Sequence, residues 1–364
     1  TESKPNHSER AHALLSASSS ERWLNCPPSA VASEAYPNPD TEFTREGTLA
    51  HEVAEIIARA VLDRGAYTVE RYDDGSLDLE GKDLGKDVTQ EMIDCADAYA
   101  SYILEQTKRD KAVVLLEQKV DFSPWVPDGF GTADCIIIQG DTMDVIDYKY
   151  GQGVPVYAED NPQMKLYGLG ALNDYGFAFN VQKVRLHIFQ PRLNNISVDE
   201  LTVADLMNWG EKVVKPIAQK AIKGKGGYNA GTHCKFCPHA GKCRTLTKTC
   251  TEYVEAHSVR VAVPVLAPHE VAEVLAMEPI VALWLKRVKA QAMDTLLSGG
   301  KIPGYKVVEG KLGNRKWTAD FQVLEALKGA GYKEEEITKT ELLSPAAMDK
   351  AIGKKKVAEL LEQF

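Results

Sequence analysis

Features that would point to export or to a membrane are missing from this 364-residue sequence. No run approaches the roughly 18 uninterrupted apolar residues that a membrane helix needs. The polar start, Thr1 to Arg10, lacks the apolar stretch of a secretory signal. Because 44% of the residues are hydrophobic, the chain can bury a large core. We therefore expect a globular protein in the cytoplasm.

A disulfide framework and a nucleotide-driven motor are also poorly supported by the sequence. It has seven cysteines, an odd number, which favours reduced thiols or metal ligands over paired half-cystines. Only Cys234, Cys237 and Cys243 lie close together in the sequence. No G-x-x-x-x-G-K-[ST] segment occurs, so no helicase motor of the P-loop type is fused to the chain.

Acidic residues outnumber basic ones overall, but basic residues are concentrated in one segment. The net charge of -9 argues against a surface that binds nucleic acid without specificity. From Lys212 to Lys248, however, the sequence contains several Lys and Arg residues and no Asp or Glu. Such a run is typical either of a stripe that follows a phosphate backbone or of a solvated lysine-rich face, and the sequence leaves both open.

The hydrophobic pattern predicts an α/β core. The predicted helices are Phe43–Leu62, Val88–Thr107 and Asn161–Leu172, and the predicted strands are Val113–Val120, Thr132–Gln139, Met143–Tyr150 and Lys183–Phe189. The acidic stretch from Arg71 to Asp87 is predicted to be a loop. We expect a flexible N-terminus over residues 1–20, a core over residues 21–250 and a mainly helical region over residues 251–364, with a long helix at Glu270–Leu297.

Two carboxylates and a lysine are the strongest candidates for chemistry. Side chains alternate along a strand, so Asp147 and Lys149 point to the same side of theirs. Asp134 lies in the neighbouring predicted strand, and a hairpin would bring both carboxylates to one divalent ion. Oxygen ligands suit Mg²⁺ or Mn²⁺, and Lys149 could orient or deprotonate an attacking water. The alternative is a structural ion pair between Asp147 and Lys149.

These residues, with their flanking segments, resemble the RecB-like branch of the PD-(D/E)xK nucleases over residues 14–245. GTLAHEVAE (residues 47–55) is similar to its Gly-x-x-x-His-x-x-x-Glu helix, and GTAD (131–134) to its Gly-x-x-Asp motif. IDYK (146–149) looks like its Asp-x-Lys strand, and QMKLY (163–167) like its Gln-x-x-x-Tyr helix. The resemblance implies a restriction-endonuclease-like core, which is a small mixed sheet flanked by helices.

The resemblance also implies roles for individual residues. The implied metal ligands are His51, Asp134, Asp147 and the Tyr148 carbonyl, and the implied catalytic residues are Asp134, Asp147, Lys149, Gln163 and Tyr167. Read without the resemblance, His51 is a packed or solvated helix residue, and Gln163 and Tyr167 are a surface pair one turn apart. Glu117 precedes the first active-site strand, and we expect it to support the site rather than to catalyse.

The cysteine cluster forms a C-x2-C-x5-C pattern, with three thiolates close enough to share one metal centre. His233, His239 or Cys250 could complete a zinc site. The pattern also resembles that of iron-sulfur nucleases of the same branch, which implies a [4Fe-4S] cluster held by Cys26, Cys234, Cys237 and Cys243. Cys95 and Cys135 lie in apolar patterns and are expected in the core.

The resemblance implies a metal-dependent deoxyribonuclease. Stand-alone proteins of this shape resemble phage or prophage recombination exonucleases, so DNA is the expected substrate and a single-strand annealing protein a plausible partner. Two other functions stay open: a nucleic-acid-binding module with an inert nuclease centre, and a CRISPR-associated nuclease that trims spacer ends.

Overall fold

A computed structural model describes residues 13–36, 41–107, 111–258 and 267–308, with short pieces at 326–330, 333 and 337–338. The chain divides into two compact units, Thr1–Tyr305 and Lys306–Phe364. All elements named below belong to the first unit. Most of residues 309–364, and with them much of the predicted helical C-terminal region, lie outside the described residues.

The N-terminal part packs onto the core through two short helices, α1 (Ser20–Asn25) and α2 (Ser29–Ser33). Leu15 and Trp23 are fully buried, and the Trp23 indole Nε1 donates a hydrogen bond to the Ser16 carbonyl at 3.0 Å. Of the terminus predicted to be flexible, residues 1–12 lie outside the described residues, whereas residues 13–20 pack against the core.

Two long helices form one face of the molecule, α3 (Glu42–Arg64) and α4 (Gln90–Gln106), as the periodicity predicted. Threonine side chains cap their N-termini by accepting backbone hydrogen bonds. Between them the prediction of a loop was wrong, because β1 (Val69–Arg71), β2 (Leu77–Leu79) and β3 (Lys82–Asp83) form a small antiparallel sheet. Leu77 and Leu79 lie on the same face of β2 and are fully buried. Their burial anchors this small sheet, although most of the residues around them are polar.

A five-stranded mixed sheet forms the centre, in the order β4-β5-β6-β7-β8. Its strands are Val113–Asp121, Phe130–Gln139, Thr142–Tyr148, Lys183–Gln190 and Asn195–Thr202. All neighbouring pairs are antiparallel except β6 and β7, which are parallel and joined through α5 (Pro162–Tyr175). The predicted α/β fold with a small mixed sheet flanked by helices is confirmed.

The sheet separates two apolar layers. One layer packs the sheet against α5 and α1, with Val145, Leu166 and Leu186 among its fully buried members. The other packs the sheet against α3 and α4, and it contains Cys95 and Cys135 as expected. Both faces of the sheet are covered over its central strands, so the polar groups of β6 are withdrawn from water.

The chain then continues through helical segments. These are α6 (Val203–Trp209), a π-helical turn (Gly210–Val214), α7 (Lys215–Ala221), two 3₁₀ turns (Thr232–Phe236 and Pro238–Lys242), α8 (Arg244–Ser258) and α9 (Pro268–Leu297). The predicted long helix is thus present as α9. Helix α8 spans residue 250, where the sequence predicted a domain boundary. That boundary stays a prediction. Of the helices described, none is both long and apolar enough to cross a membrane.

Candidate functional site

Three carboxylates lie in one row across the first strands of the central sheet. Glu117 is on β4, Asp134 on β5 and Asp147 at the end of β6. The neighbours of Glu117 pair with the neighbours of Asp134. Cys135 pairs with Ile146, which places Asp134 opposite Asp147. Because opposite residues of antiparallel strands share one face of the sheet, the three side chains project together.

Helix α3 brings a nitrogen ligand to this row. The His51 Nδ1 atom lies 3.4 Å from Asp134 Oδ1, and the His51 ring packs edge-on against Tyr148 with centroids 5.4 Å apart. The other oxygen of Asp134 accepts a hydrogen bond from the Tyr148 amide at 2.7 Å. One ligand atom each from His51, Glu117 and Asp134 lies within 4.8 Å of the others, a separation that one ion could bridge.

Asp147 is 3% exposed and completes the other side of the row. Its Oδ1 accepts a hydrogen bond from Gln163 Nε2 at 3.2 Å. The Lys149 ammonium lies 2.8 Å from Oδ2, but no described residue donates a well-aligned hydrogen bond to that oxygen. A buried carboxylate oxygen without a hydrogen-bond donor can still bind a cation.

Helix α5 supplies the two remaining predicted residues. Gln163 Nε2 lies 3.4 Å from the Tyr167 hydroxyl, so both point to the carboxylate row from the first turns of α5. Tyr167 passes close over β5: a Cβ atom on Gly131 would lie 2.7 Å from Tyr167 Cε1. Glycine at position 131 is therefore what allows the phenol ring to reach the site.

Glu117 is held by an irregular backbone. Its φ of 50° lies in the left-handed region, which a glutamate rarely adopts, and the described β4–β5 ladder skips the pair Glu117 and Asp134. The carbonyl of Leu116 instead accepts hydrogen bonds from Arg59 Nη2 at 3.3 Å and Gln118 Nε2 at 2.8 Å. Such conformations persist where the surroundings impose them, and they cluster at functional sites.

The electrostatics of the row follow from burial and crowding. Burial, reinforced by Asp134, raises the pKa of Glu117 to about 7. Burial also raises the pKa of Asp147, and Lys149 only partly offsets it. For His51 and Lys149, burial alone would lower the pKa, but the carboxylates outweigh it and the net pKa of each is raised. Strongly perturbed groups in one place are typical of functional sites.

The donor set fits a small divalent cation. An imidazole nitrogen and several carboxylate oxygens are the ligands that Mn²⁺ and Mg²⁺ accept in proteins. The sequence predicted His51, Asp134, Asp147, Lys149, Gln163 and Tyr167, and all of them lie together. Tyr148 is buried with its ring on the opposite face of the sheet, in contact with Tyr99. Ligation by the Tyr148 carbonyl stays a prediction.

Two residues contribute more than the sequence indicated. Glu117 was expected only to support the site, yet it belongs to the group that converges with His51 and Asp134. Its position opposite Asp134 in the predicted strand pair is the signal that could have placed it there. Arg59 was not predicted at all, because its effect on Leu116 depends on the packing of α3 against β4.

The four predicted cluster ligands surround a second, small cavity. Cys26, Cys234, Cys237 and Cys243 all line it. Burial raises the pKa of both Cys234 and Cys237, and the charges of the neighbouring thiolates add to it. The cavity joins the end of α1, through Cys26, to the two 3₁₀ turns.

The alternative ligands differ in their relation to the cavity. His233 and His239 line it. However, His233 Nε2 is engaged with the Asn229 carbonyl at 3.0 Å, and His239 Nδ1 with the Tyr36 hydroxyl at 3.1 Å. Cys250 instead directs its Sγ to the Ile280 carbonyl of α9, at 4.0 Å. Cys250 is therefore a poor candidate for a fourth ligand.

Helix α9 packs against the cysteine turns. Arg287 Nη2 donates to the Lys235 carbonyl at 2.8 Å, and a Cβ atom on Gly241 would lie 2.7 Å from the Arg287 carbonyl. Trp284 packs against the apolar cluster that contains Cys234 and Cys237. The cysteine turns and α9 thus form one packed unit.

Comparison with known proteins identifies a family. A family model described as "Protein of unknown function (DUF2800)" matches residues 12–364. The chain belongs to this family. Both the carboxylate row and the cysteine cavity lie inside the matched part of the DUF2800 protein. A solved structure titled "Crystal structure of SSO0001" is 16% identical, with a TM-score of 0.23, and the match covers 53% of this chain and 85% of that chain.

Proposed function

We propose that this DUF2800 protein is a metal-dependent deoxyribonuclease of the RecB-like PD-(D/E)xK type that hydrolyses phosphodiester bonds from a DNA end. The observation that carries the proposal is the meeting of His51, Glu117 and Asp134 within 4.8 Å beside the Asp147–Lys149 ion pair. A structural ion pair explains neither the convergence of three carboxylates nor the left-handed backbone at Glu117.

The residues divide into ligands and positioning groups. His51, Glu117, Asp134 and Asp147 would hold the ion. A bound Mg²⁺ or Mn²⁺ supplies a Lewis acid that holds a phosphate oxygen and lowers the pKa of a water. Gln163 fixes the Asp147 carboxylate by its hydrogen bond to Oδ1, so the orientation of that group is set before substrate arrives.

Lys149 is the candidate catalytic lysine. Burial would lower the pKa of Lys149, but in the metal-free site Asp147 and Asp134 outweigh it and the net pKa is raised. An ammonium donates hydrogen bonds and cannot accept a proton. Of the two roles predicted from the sequence, an ammonium can orient the water, whereas removing a proton from water requires that Lys149 first lose its own.

The spacing of the cysteine sulfurs supports a multinuclear centre over a single zinc ion. Thiolates bound tetrahedrally to one zinc would bring their sulfurs to about 3.8 Å from each other, from Zn–S bonds of about 2.3 Å. Among the described residues, no three cysteines bring their sulfurs within 4.8 Å of one another. We propose that Cys26, Cys234, Cys237 and Cys243 hold a [4Fe-4S] cluster with a structural role.

The decisive experiment compares cleavage of linear DNA by the wild type, Lys149→Ala and Lys183→Ala, with Mg²⁺ or Mn²⁺. We expect the wild type to cleave and Lys149→Ala to lose at least about 100-fold in rate. Lys183 is an exposed lysine at the opposite end of the parallel strands, paired with Glu200, so its replacement leaves the rate unchanged. A folded wild type that binds DNA but cleaves none would overturn the proposal in favour of a binding module.

A further inference from the structure

The segment that joins β6 to α5, residues 151–160, borders the proposed active site along the chain. It begins two residues after Lys149 and ends three residues before Gln163. We refer to residues 151–160 as the rim loop. The inference below rests on the proposed function and concerns how the substrate strand is held.

The rim loop lacks regular secondary structure but is fixed by a buried glutamine. Gln190, at the end of β7, is 2% exposed. Its Nε2 donates hydrogen bonds to the carbonyls of Gly151 at 2.8 Å and Val154 at 3.0 Å. Its Oε1 accepts from the Val156 amide at 3.1 Å. One buried side chain thus satisfies three backbone groups of the loop.

Strand β8 fixes the second half of the loop. Asn195 Nδ2 donates to the Val156 carbonyl at 2.8 Å, and Ser197 Oγ accepts from the Ala158 amide at 2.9 Å. Because the backbone is held at several points, the positions from which its exposed side chains project are fixed before any ligand binds. Such preorganisation lowers the entropic cost of binding.

The rim loop and the carboxylate row share one edge of the sheet. The Lys149 amide donates to the Phe189 carbonyl at 2.8 Å, and the next residue of β7, Gln190, holds the loop. β6 and β7 run parallel, so Asp147, Lys149 and Gln190 all lie at the carboxyl ends of these strands. A strand bound at the carboxylate row would therefore extend past the loop.

Two apolar side chains face water on this fixed loop. Val154 is 46% exposed and Tyr157 is 61% exposed. A single exposed apolar residue requires no explanation. Two of them on a segment held by buried polar groups, beside a proposed nuclease centre, indicate a contact surface. The exposed ring has the shape and the polarisable face that stack on a base, irrespective of its identity.

We propose that Tyr157 stacks on a nucleobase of the substrate strand and that Val154 packs beside it, while the carboxylate row holds the backbone at the scissile phosphate. Recognition of this kind is insensitive to sequence. It requires an unpaired base, so the substrate at the rim is single-stranded or frayed.

The test measures binding with Ca²⁺ in place of Mg²⁺ by fluorescence anisotropy. The probes are a labelled thymidine oligonucleotide and an abasic oligonucleotide of the same length, which has the same phosphates but no bases. The wild type is expected to prefer the thymidine strand. Tyr157→Ala lowers affinity for that strand by roughly tenfold and leaves the abasic strand unaffected. Tyr157→Phe keeps the preference.

The matched control is Phe177→Ala. Phe177 is 89% exposed and lies just beyond the C-terminus of α5, the end opposite Gln163. Its replacement is expected to leave both affinities unchanged. Equal losses in the two aromatic variants, or equal affinities of the wild type for the two strands, would refute the base contact.

The two proposals fail separately. If the wild type cleaves DNA but Tyr157→Ala binds the thymidine strand as the wild type does, the base contact is refuted and the nuclease stands. If Tyr157→Ala loses binding but the wild type cleaves no DNA, the contact stands and the nuclease is refuted. Because Tyr157 is exposed, a folding defect is not expected, and circular dichroism of each variant checks this.

Discussion

Glu117 has an uncommon backbone conformation and lies close to several charged groups. Its left-handed φ directs the carboxyl group toward His51 and Asp134, and its pKa is raised to about 7 by burial and by Asp134. Without a cation, a charged Glu117 destabilises the folded state. With a cation, the same charge becomes favourable, so the residue couples stability to metal binding.

We predict that Glu117→Gln stabilises the metal-free protein at high pH. Folded Glu117 keeps its proton up to about pH 7, whereas an unfolded glutamate releases it near pH 4.3. The free energy of unfolding therefore falls as pH rises through this window. The glutamine variant avoids the loss, so we expect it to be more stable than the wild type by about 1–2 kcal/mol at pH 8, after allowance for partial exposure.

Urea denaturation in EDTA at about pH 4 and pH 8 measures this difference, which should vanish at the lower pH, where both side chains are neutral. Glu200→Gln, at an exposed position of β8, is the control and should show no such trend. A Glu117→Gln variant less stable than the wild type at pH 8 would contradict the assignment.

Single residues also show what the sequence could and could not predict. Asp134, Asp147 and Lys149 were predictable because strand alternation and hairpin pairing bring them to one face. The backbone of Glu117 was not predictable, since a positive φ at a non-glycine residue is imposed by tertiary contacts. Those contacts include the Arg59 hydrogen bond from another element to the Leu116 carbonyl.

Among the elements, predictability followed burial. β5 and β6 are apolar over most of their length and were recognised from their β-branched runs. β8 was missed because Ile196 and Val198 face water while Ser197 and Asp199 are partly buried and hold the rim loop. The alternation of Ile196 and Val198 with polar residues covers only a few positions, and its apolar side is the solvent-facing side of this edge strand.

A cluster held by the four cysteines would bridge the end of α1, through Cys26, to the two 3₁₀ turns, and this gives a second prediction. Cys237→Ser should abolish the visible charge-transfer absorbance of a purified, brown protein and lower its thermal midpoint. Cys250→Ser is the matched control, because Cys250 is fully buried but does not line the cavity. It should keep the absorbance. A colourless wild type that contains one zinc would refute the iron-sulfur assignment.

The whole molecule combines a net charge of -9 with the basic run from Lys212 to Lys248. Lys223 and Lys225 of this run are exposed. If the run contacts phosphates, each lysine that does so contributes about one unit to the slope of log affinity against log salt. We predict that Lys223→Ala with Lys225→Ala reduces this slope by up to about two units, measured in Ca²⁺.

Lys183→Ala is again the control for charge loss, since Lys183 is exposed but outside the basic run. It should leave the slope unchanged. Slopes that are equal for the wild type and the double variant would identify the run as a solvated face.

The packing of α9 against the cysteine turns constrains the order of assembly. Cys234 and Cys237 are each at most 7% exposed, and Trp284 and the Arg287 carbonyl of α9 lie against the turns that carry them. If these thiols hold a cluster, the iron and sulfide that form it need open access to them. Insertion would therefore precede the final docking of α9, and a protein depleted after that step would reload slowly unless the helix first detached.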